Sequence, residues 1–368
     1  MNYDNTYWGK RVLVTGDTGF KGSWLCEWLL SLGAEVFGIG LEPNTTPSLF
    51  EELKLSQRIH HRICDIRDAS AVEAYILEIQ PDIILHLAAQ PLVRLSYAIP
   101  VETYATNVMG TVHVLNALRL LTKNCAAVFI TTDKCYENRE CSHSYREDDR
   151  LGGHDPYSSS KGACEIAIQS FRNSYFSDPD ECGVAIASAR AGNVVGGGDW
   201  ASDRIIPDCI RALKKEEAIP VRSKMATRPW QHVLEPLGGY LRLAAELWRG
   251  LHGEKQLYTD FRYTKLCDAF NFGPLLASNR PVGELVDAVL KLWPGESVDF
   301  SDPNAVHEAS LLNLSIDKAY HVLKWSPIWD FEMTISQTID WYRTEHSNAA
   351  DVLSKTQAQI KTYSAMLS

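Results

Sequence analysis

The sequence predicts an α/β fold: a doubly wound parallel sheet with helices on both faces, joined to a smaller α/β lobe. Short apolar strands alternate with amphipathic helices through the first half of the chain, which is the pattern of a parallel sheet. A glycine-rich turn over residues 16–22 joins the first strand to the first helix, as in Rossmann folds. Because 368 residues exceed what one small core usually organises, we expect two lobes.

Each element of the first half follows from its apolar pattern. Val12, Leu13 and Val14 form a short buried strand, and the first helix carries apolar residues at helical spacing and ends at Gly33. Strands are predicted at Arg11–Thr15, Glu35–Gly40, 62–65, 82–87, 126–131 and 184–189. Helices are predicted at 23–32, Ala69–Ile79, 101–121 and 157–175. About six parallel strands are the number expected of a doubly wound sheet.

The pattern loosens after Arg190, where the second lobe is expected. Predicted there are helices at 204–215, 234–249, Val282–Leu292, 316–323 and 333–343, a strand at Ala269–Phe272 and a loop near 300–310. Residues 1–192, with a returning segment of about 233–273, would form the first lobe. Residues 193–232 and 274–368 would form the second, which closes over the carboxyl edge of the sheet, where such folds bind ligands.

Composition and charge limit the function classes. A formal net charge of -10 argues against a nucleic-acid-binding protein, although local arginines can still bind an anionic substrate. The nine cysteines are odd in number and scattered, so we expect free thiols, a cytoplasmic location and no zinc or other metal site. No run of about 18 apolar residues predicts a membrane span, and no signal peptide is expected before the first strand.

The glycine turn predicts a dinucleotide site. Gly16 permits a tight turn, Gly19 lets the backbone approach a phosphate, and Gly22 lets the helix pack on the strand. A pyrophosphate would then lie at the helix N-terminus. The alternative is an ordinary strand–turn–helix, and the spacing does not fit a nucleotide-triphosphate P-loop.

Other strand ends supply further cofactor cues. Asp65 could meet an adenine amine, and the small residues of the 87–90 run could lie against a flat ring. The acid that usually binds the adenosine ribose is expected where Gly40 stands, and Glu42 comes two residues late. No arginine stands there to hold a 2′-phosphate, which favours NAD over NADP.

The candidate catalytic residues follow the fifth strand and begin the next helix. Tyr157 and Lys161 are four residues apart on a helix and share a face, and a lysine ammonium beside a phenol favours the phenolate. The tyrosine would then serve as a base near neutral pH. Thr132 can bond a substrate hydroxyl, and Asp133 with Lys134 forms an acid/base pair; the alternative is a solvated turn.

These motifs together resemble the extended short-chain dehydrogenase/reductase family over nearly the whole chain. The motifs that carry the resemblance are 15–22, 87–90, Asn107, 132–133, Tyr157 with Lys161, 190–196, 228–233, 271–274 and 325–327. The Thr-Asp pair resembles the nucleotide-sugar 4,6-dehydratase subgroup. Lys134 occupies the place of the Glu of its thymidine-linked members and, with Gly-Gly-Gly-Asp-Trp at 196–200, resembles the members that act on CDP-glucose.

The resemblance implies the site residues and the cofactor, NAD. The catalytic residues would be Thr132, Asp133, Lys134, Tyr157 and Lys161. The cofactor-binding residues would be Gly16, Thr18, Gly19, Phe20, Lys21, Gly22, Asp65, Ile66, Leu87, Ala88, Ala89, Asn107, Thr131, Tyr157 and Lys161. The substrate diphosphate and sugar would meet Asn193, Arg204 and Arg228.

The implied reaction oxidises C4 of the sugar, eliminates water across C5–C6 and returns the hydride to C6. Tyr157 would be the base at C4, Asp133 the acid at C6, and Lys134 the base at C5. A lysine acts as a base only if its pKa falls. If Lys134 stays charged it would stabilise the enolate instead, with Tyr136 or Glu137 as substitutes for the base.

Several alternatives remain open at this point. A nucleotide-sugar 4-epimerase would need no acid/base pair, a 4,6-dehydratase could use another nucleotide sugar, and a plain alcohol dehydrogenase would not need the second lobe. An NAD-sensing protein would gain nothing from an activated tyrosine. The resemblance also implies a homodimer or homotetramer through a four-helix interface built from helices 101–121 and 157–175.

Overall fold

A computed structural model describes residues 3–300 and 311–367. The predicted loop near 300–310 therefore lies almost wholly outside the described residues. The strands are β1 (Arg11–Thr15), β2 (Glu35–Gly40), β3 (His60–Ile63), β4 (Ile83–His86), β5 (Cys125–Ile130), β6 (Ser144–Tyr145), β7 (Val184–Ala191), β8 (Val194–Val195), β9 (Ile219–Val221), β10 (Thr227–Pro229), β11 (Gln231–His232), β12 (Ala269–Phe272), β13 (Asn279–Pro281), β14 (Ser297–Asp299) and β15 (Asn313–Leu314).

The helices surround this set of strands. They are α1 (Phe20–Ser31), α2 (Leu49–Glu52), α3 (Ala69–Ile79), α4 (Val93–Ala98), α5 (Pro100–Tyr104), α6 (Gly110–Leu118), α7 (Pro156–Ser174), α8 (Pro179–Cys182), α9 (Ile205–Lys214), α10 (Leu234–Leu251), α11 (Val282–Leu292), α12 (Asp317–Leu323), α13 (Phe331–Ser347) and α14 (Val352–Met366). A π-helical turn, Ala105–Met109, joins α5 to α6.

The central sheet has seven strands in the order β12-β7-β5-β4-β1-β2-β3. Every pairing in it is parallel. The strand order reverses between β1 and β4, which is the switch point at which doubly wound sheets bind ligands. The predicted doubly wound α/β fold is therefore confirmed, and β12 adds a seventh strand from late in the chain.

Strand residues alternate between two apolar cores, one on each face of the sheet. Val12 and Val14 of β1 enter one core, and Leu13 enters the other. Helices α1 and α10 cover the first face, where Trp24 and Trp28 are fully buried. Helices α3, α6 and α7 cover the second face. Burial on both faces explains why these strands read as continuous apolar runs.

Later segments pair into small sheets beside the carboxyl edge. β10 pairs antiparallel with β13, and β9 pairs with β14. β8 pairs with β11, and β6 pairs with β15. These pairs and the helices between them form the wall that faces the ends of the central strands.

Three element predictions needed correction. The third strand lies at His60–Ile63, two residues earlier than predicted, because Phe37 to Gly40 of β2 pair with these residues. The helix predicted at 101–121 begins at Pro100, contains the π turn and ends at Leu118. Helix α14 and the short helices α2, α4 and α8 were not predicted.

Candidate active site

A cavity of about 1160 Å³ lies at the carboxyl edge of the central sheet. The turns that follow four central strands line it: Gly16 after β1, Leu87 to Gln90 after β4, Thr131 and Thr132 after β5, and Gly192 with Asn193 after β7. Because parallel strands end at one edge, the fold brings together side chains that are far apart in the sequence. Its volume exceeds the roughly 300–1,000 Å³ of ordinary small-molecule pockets.

The glycine turn has the geometry that a phosphate-binding loop needs. Gly16 has φ +76°, and a Cβ there would lie 2.8 Å from the Ala88 backbone. A Cβ on Gly22 would lie 2.0 Å from the Gly16 carbonyl oxygen. Helix α1 begins at Phe20 with no side chain capping its first N–H groups. These groups face the cavity and suit a pyrophosphate.

The absence of an acid at the end of β2 has a structural cause. Asp17 is fully buried beneath Gly38 and Gly40, and a Cβ on Gly40 would lie 2.8 Å from the Asp17 carboxylate. The Asp17 Oδ2 is 2.6 Å from His61 Nδ1. Burial raises the pKa of Asp17, and the hydrogen bond with His61 opposes that rise. Gly40 is therefore required by packing, and Glu42 is the acid that reaches the cavity from this strand.

The predicted adenine end of the cavity lies past β3. Asp65 and Ile66 line the cavity, and Asp65 accepts hydrogen bonds from Arg67 at 2.5 to 3.0 Å. Leu87, Ala88 and Ala89 line the adjacent wall. Asn107 does not line it: its side chain donates to the Gln90 carbonyl and accepts from the Gln90 N–H at 2.8 Å. Asn107 thus supports the loop after β4 instead of meeting a ligand directly.

Tyr157 and Thr132 meet at the centre of the cavity. Asp155 caps helix α7 by accepting from the Ser158 N–H at 2.9 Å, which fixes Tyr157 in the first turn. The Thr132 hydroxyl donates to Asp133 Oδ1 at 2.9 Å, and the Thr132 side chain lies close enough to the Tyr157 phenol to lower its pKa. Asp133 is almost fully buried, does not line the cavity, and its Oδ2 has no hydrogen-bond partner in the described residues.

The titration behaviour of the tyrosine–lysine pair differs from the expectation. Burial raises the pKa of Tyr157, while the Thr132 hydrogen bond lowers it and Asp133 raises it further. Burial also lowers the pKa of Lys161. In the chain alone, therefore, Lys161 does not bring the phenol toward neutral pH, because the same burial that disfavours the phenolate also disfavours the ammonium.

Lys134 lies where the predicted C5 base would stand. Its Nζ is 3.1 Å from Asn193 Oδ1 and 3.4 Å from Asp133 Oδ1. The two predicted substitutes, Tyr136 and Glu137, also line the cavity, and each has partners of its own. The Tyr136 phenol donates to Asn271 at 2.7 Å and accepts from Arg190. The Glu137 carboxylate is paired with two arginines at 3.4 and 3.6 Å.

A buried ion pair supports the catalytic loop from below. Glu165 is one turn beyond Lys161 on α7 and accepts from Arg190 at 2.9 Å and from Ser188 at 2.7 Å. It also accepts from Thr131, the residue before Thr132. Thr131 lines the cavity, but its hydroxyl is engaged in this network. Sequence reasoning missed Glu165, although its helical spacing from Lys161 was the available signal.

The predicted substrate residues Asn193, Arg204 and Arg228 all line the cavity. Arg204 donates to Asp199 at 2.8 Å, and Asp199 is the main cause of the raised pKa of Arg204. Arg228 donates to the Thr227 carbonyl at 2.8 Å, and Asn193 faces Lys134. Asp199 lies in the Gly-Gly-Gly-Asp-Trp motif, but the sequence did not predict that it would bind Arg204.

The described ranges hold neither a cluster of metal ligands nor a membrane-spanning helix. Residues 3–300 and 311–367 contain no group of three or more His, Cys, Asp or Glu side chains that could hold a metal ion. Within the same ranges, no helix has the length and apolar character needed to cross a membrane.

The fold and the cavity define a protein of the extended short-chain dehydrogenase/reductase class. Solved structures with this fold include an epimerase from Methanothermobacter thermautotrophicus, with a TM-score of 0.77, 22% identity and coverage of 95% of this chain and 97% of that one. A dTDP-glucose 4,6-dehydratase from Streptomyces venezuelae superposes with a TM-score of 0.75, at 22% identity and with 92% and 98% coverage.

The chain belongs to the GDP-mannose 4,6 dehydratase family, whose profile matches residues 13–246. A CDP-glucose 4,6-dehydratase from Salmonella typhimurium is 45% identical over 344 residues, which cover 92% of each chain. A dTDP-D-glucose 4,6-dehydratase from Bos taurus is 26% identical over 344 residues, covering 92% of this chain and 90% of that one. The predicted family is thus confirmed.

Proposed function

We propose that the chain is an NAD-dependent hydro-lyase that converts CDP-D-glucose to CDP-4-dehydro-6-deoxy-D-glucose, a step in deoxysugar biosynthesis. The observation that carries the proposal is the Asp133–Lys134 acid/base pair, 3.4 Å apart, beside Thr132 and Tyr157 in the cavity. A 4-epimerase needs the tyrosine and a cofactor but has no use for such a pair. The 45% identity with a CDP-glucose 4,6-dehydratase supports cytosine as the nucleotide base of the substrate.

The glycine loop and the end of β2 suit NAD. The backbone N–H groups at the start of α1 would hold the pyrophosphate, and Leu87, Ala88 and Ala89 would lie against a flat ring. Glu42 faces the cavity after β2, where its charge would bind ribose hydroxyls and repel a 2′-phosphate. When bound, NAD adds a positive charge to the site, accepts a hydride from C4 and returns it to C6.

Each residue has one proton to hold or move. Tyr157 takes the proton of the C4 hydroxyl, with Thr132 stabilising the phenolate by a hydrogen bond. Lys134 takes the proton from C5, which the C4 ketone has made acidic. Asp133 supplies the proton to the C6 oxygen, which leaves as water; its carboxyl group lies behind the cavity wall and meets the cavity through Thr132 Oγ1 at 2.9 Å and Lys134 Nζ at 3.4 Å. Since C5 later regains a proton, the net change is the loss of one water.

The substrate would lie along the wall formed by the second part of the chain. Arg204 and Arg228 offer guanidinium groups for the diphosphate, and Asn193 offers an amide close to Lys134. We therefore assign cofactor binding to residues 1–192 with the returning segment of about 233–273. Nucleotide-sugar binding falls to residues 193–232 and 274–368.

We also propose a homodimer, or a homotetramer built from it, paired through α5–α6 and α7. Large apolar side chains are exposed on these neighbouring helices: Val101 at 74%, Ile166 at 58% and Met109 at 47%. Such side chains favour association with a second copy. Ile166→Glu should shift the sedimentation coefficient to that of a monomer, and an unchanged assembly would contradict this interface.

A cytoplasmic location is proposed from the thiols. All nine cysteines are free, and six of them are buried, including Cys135 beneath the catalytic loop. Free thiols persist in a reducing compartment. Purification with and without a thiol reductant, followed by mass mapping of disulfides, tests this inference, and native disulfides would contradict it.

A panel of nucleotide sugars tests the proposed reaction and the preference for cytidine together. The protein is incubated with NAD and with the glucose derivatives of CDP, dTDP, UDP and GDP, and the products are weighed by mass spectrometry. We expect loss of one water from CDP-glucose and much slower loss from the others. Unchanged mass with a new C4 epimer would show an epimerase, and dehydration of another nucleotide sugar would overturn the choice of cytidine.

A further inference from the structure

The two carboxyl oxygens of Asp133 have different surroundings. Oδ1 accepts from the Thr132 hydroxyl at 2.9 Å and from the Lys134 Nζ at 3.4 Å. Oδ2 is buried and has no hydrogen-bond partner among residues 3–300 and 311–367. A protonated carboxyl group has one hydrogen to donate, and an oxygen that already accepts two hydrogen bonds is a poor place for it. A proton on Asp133 therefore belongs on Oδ2.

The residue beside this oxygen is Gly192, which directly follows β7. A Cβ on Gly192 would lie 3.1 Å from Asp133 Oδ2 and 3.2 Å from Pro229 Cγ, which is closer than most Cβ contacts. The φ of Gly192 is not positive, so the backbone conformation does not require glycine. The glycine is therefore explained by the space beside the Asp133 carboxyl group and not by the turn itself.

The turn after β7 is held on both sides of Gly192. Before it, the almost fully buried Arg190 is paired with Glu165 at 2.9 Å. After it, Asn193 Oδ1 accepts from the Lys134 Nζ at 3.1 Å. Because the turn is anchored at both ends, a side chain added at position 192 would press on the neighbouring carboxyl group instead of displacing the turn.

We propose that Gly192 is a positioning residue for the elimination of water. Without a side chain, it keeps a hydrogen-bond donor away from Asp133 Oδ2 and leaves the carboxyl group room to turn this oxygen toward the cavity. The inference rests on the proposed function, in which Asp133 supplies the proton at C6. A donor at position 192 would stabilise the carboxylate and withhold that proton.

The protons and electron pairs of this step balance. Lys134 takes the C5 proton, the C5–H electron pair forms the C5–C6 double bond, and the C6–O bond breaks. The O–H bond at Asp133 Oδ2 breaks as well, and its proton leaves with the C6 oxygen as water. The proton that Asp133 gives up equals the one that Tyr157 takes from the C4 hydroxyl, so exchange with solvent resets both groups.

Separate measurement of oxidation and elimination tests the inference. Formation of reduced cofactor from NAD and CDP-glucose, followed by rapid-mixing absorbance, reports C4 oxidation, and quenched samples report the dehydrated product. Gly192→Ser directs a hydroxyl at Oδ2, and we expect C4 oxidation within about twofold of the wild type but elimination about 100-fold slower. Gly192→Ala adds only a methyl group that hinders turning, and should slow elimination about tenfold.

A leaving group that needs no proton separates a lost acid from a distorted site. CDP-6-deoxy-6-fluoro-D-glucose releases fluoride, which departs as an anion without a proton from Asp133. Fluoride release by Gly192→Ser, followed with a fluoride-selective electrode, should therefore stay within about threefold of the wild-type rate. A purely structural defect would slow the two substrates equally.

Gly273→Ser is the matched control. Gly273 follows β12 as Gly192 follows β7, and the last residues of the two strands, Phe272 and Ala191, are paired. The atom nearest to a Cβ on Gly273 would be the Leu314 Cβ at 3.3 Å, an apolar neighbour. Gly273→Ser should therefore keep the wild-type rates of C4 oxidation and of elimination.

Several results would overturn the inference. Equal slowing of C4 oxidation and elimination in Gly192→Ser would mean a distorted site, and wild-type elimination in both variants would mean that the space beside Oδ2 has no role. If Gly192→Ser does not fold by circular dichroism, Gly192→Ala carries the test with the same two substrates. Failure of the wild type to dehydrate CDP-glucose would refute the proposed reaction and this inference together. Normal wild-type dehydration with either of the first two results would refute this inference alone.

Discussion

The hydroxyl of Thr132 donates to Asp133 Oδ1 at 2.9 Å and lies beside the phenol of Tyr157, whose pKa it lowers. One hydroxyl thus contacts both the group assigned to take a proton at C4 and the group assigned to give one at C6. A threonine hydroxyl has a single hydrogen to donate. Donation to Tyr157 stabilises the phenolate and donation to Asp133 stabilises the carboxylate, so the two groups are coupled through Thr132.

Replacing this hydroxyl should slow C4 oxidation. Because the Thr132 hydrogen bond lowers the pKa of Tyr157, Thr132→Val should raise it, reduce kcat about 100-fold and move the rising limb of the pH–rate profile to higher pH. Thr132→Ser keeps the hydroxyl and should retain most of the activity. A Thr132→Val profile with the wild-type midpoint would contradict the coupling.

The tyrosine itself should be indispensable for the first step. Tyr157→Phe removes the group that takes the C4 proton, so formation of reduced cofactor from NAD and CDP-glucose should fall at least about 1000-fold in rapid-mixing absorbance measurements. Tyr320→Phe is a matched control on the surface, 56% exposed, and should behave as the wild type. Normal turnover in Tyr157→Phe would remove the residue from the mechanism.

Two substitutions at Lys134 distinguish its role as the base at C5 from a role as a fixed positive charge. Both Lys134→Ala and Lys134→Arg should spare C4 oxidation, which does not use this residue. Arginine keeps the positive charge but cannot lose its proton in a protein, so loss of C5 proton exchange in both variants is expected for a base. Exchange that persists in Lys134→Arg, read by proton NMR in heavy water, would assign the residue to enolate stabilisation instead.

Two alanine substitutions in the glycine loop should have different effects, one on folding and the other on cofactor binding. A Cβ on Gly22 would lie 2.0 Å from the Gly16 carbonyl, so Gly22→Ala should lower the free energy of unfolding by about 3 kcal/mol. A Cβ on Gly19 would lie 3.4 Å from the same oxygen, and the φ of Gly19 is -78°, which alanine adopts easily. Gly19→Ala should therefore keep its stability within about 0.5 kcal/mol and weaken NAD binding about tenfold.

Denaturant titrations with and without NAD distinguish these two outcomes. Equal losses of stability in both alanine variants would contradict the assignment of Gly22 to packing and of Gly19 to phosphate contact.

Acid should destabilise the fold through buried histidines. Burial lowers the pKa of His86 to about 3, with Lys161 contributing, and the ring is bonded to Thr15 at 2.7 Å and Thr111 at 3.1 Å. Below about pH 6.5 the unfolded chain binds a proton that the folded chain does not, so the free energy of unfolding falls by about 1.4 kcal/mol per pH unit for this residue. His86→Gln should reduce that slope in urea titrations between about pH 6 and pH 4; an unchanged slope would contradict the neutral state of His86.

Much of the fold was predictable because the central strands are buried on both faces and read as apolar runs. The third strand was misplaced because it lacks this pattern. His60–Ile63 forms the edge of the sheet, is mostly exposed and has no apolar run. Helix α14 was missed because its buried positions include Thr356 and Gln359, which break the apolar stripe.

The site was predictable where two residues share one helix at a fixed spacing, as for Tyr157 and Lys161, which both line the cavity. Residues that contact the site from distant helices and strands share no sequence spacing with it, so the sequence did not indicate them. Tyr240, which holds Lys21, and Glu165, which bonds the loop before Thr132, become visible only when the helices and strands are assembled. The raised pKa of Tyr157 likewise depends on burial, which spacing does not reveal.

The most direct test of the proposed 4,6-dehydratase is the reaction of the wild-type protein with NAD and CDP-glucose in heavy water. Lys134 must remove the C5 proton and C5 must regain one from solvent. We therefore predict a product that has lost one water and carries one deuterium at C5, identified by mass spectrometry and proton NMR. A dehydrated product without deuterium at C5, or a sugar of unchanged mass inverted at C4, would contradict the account.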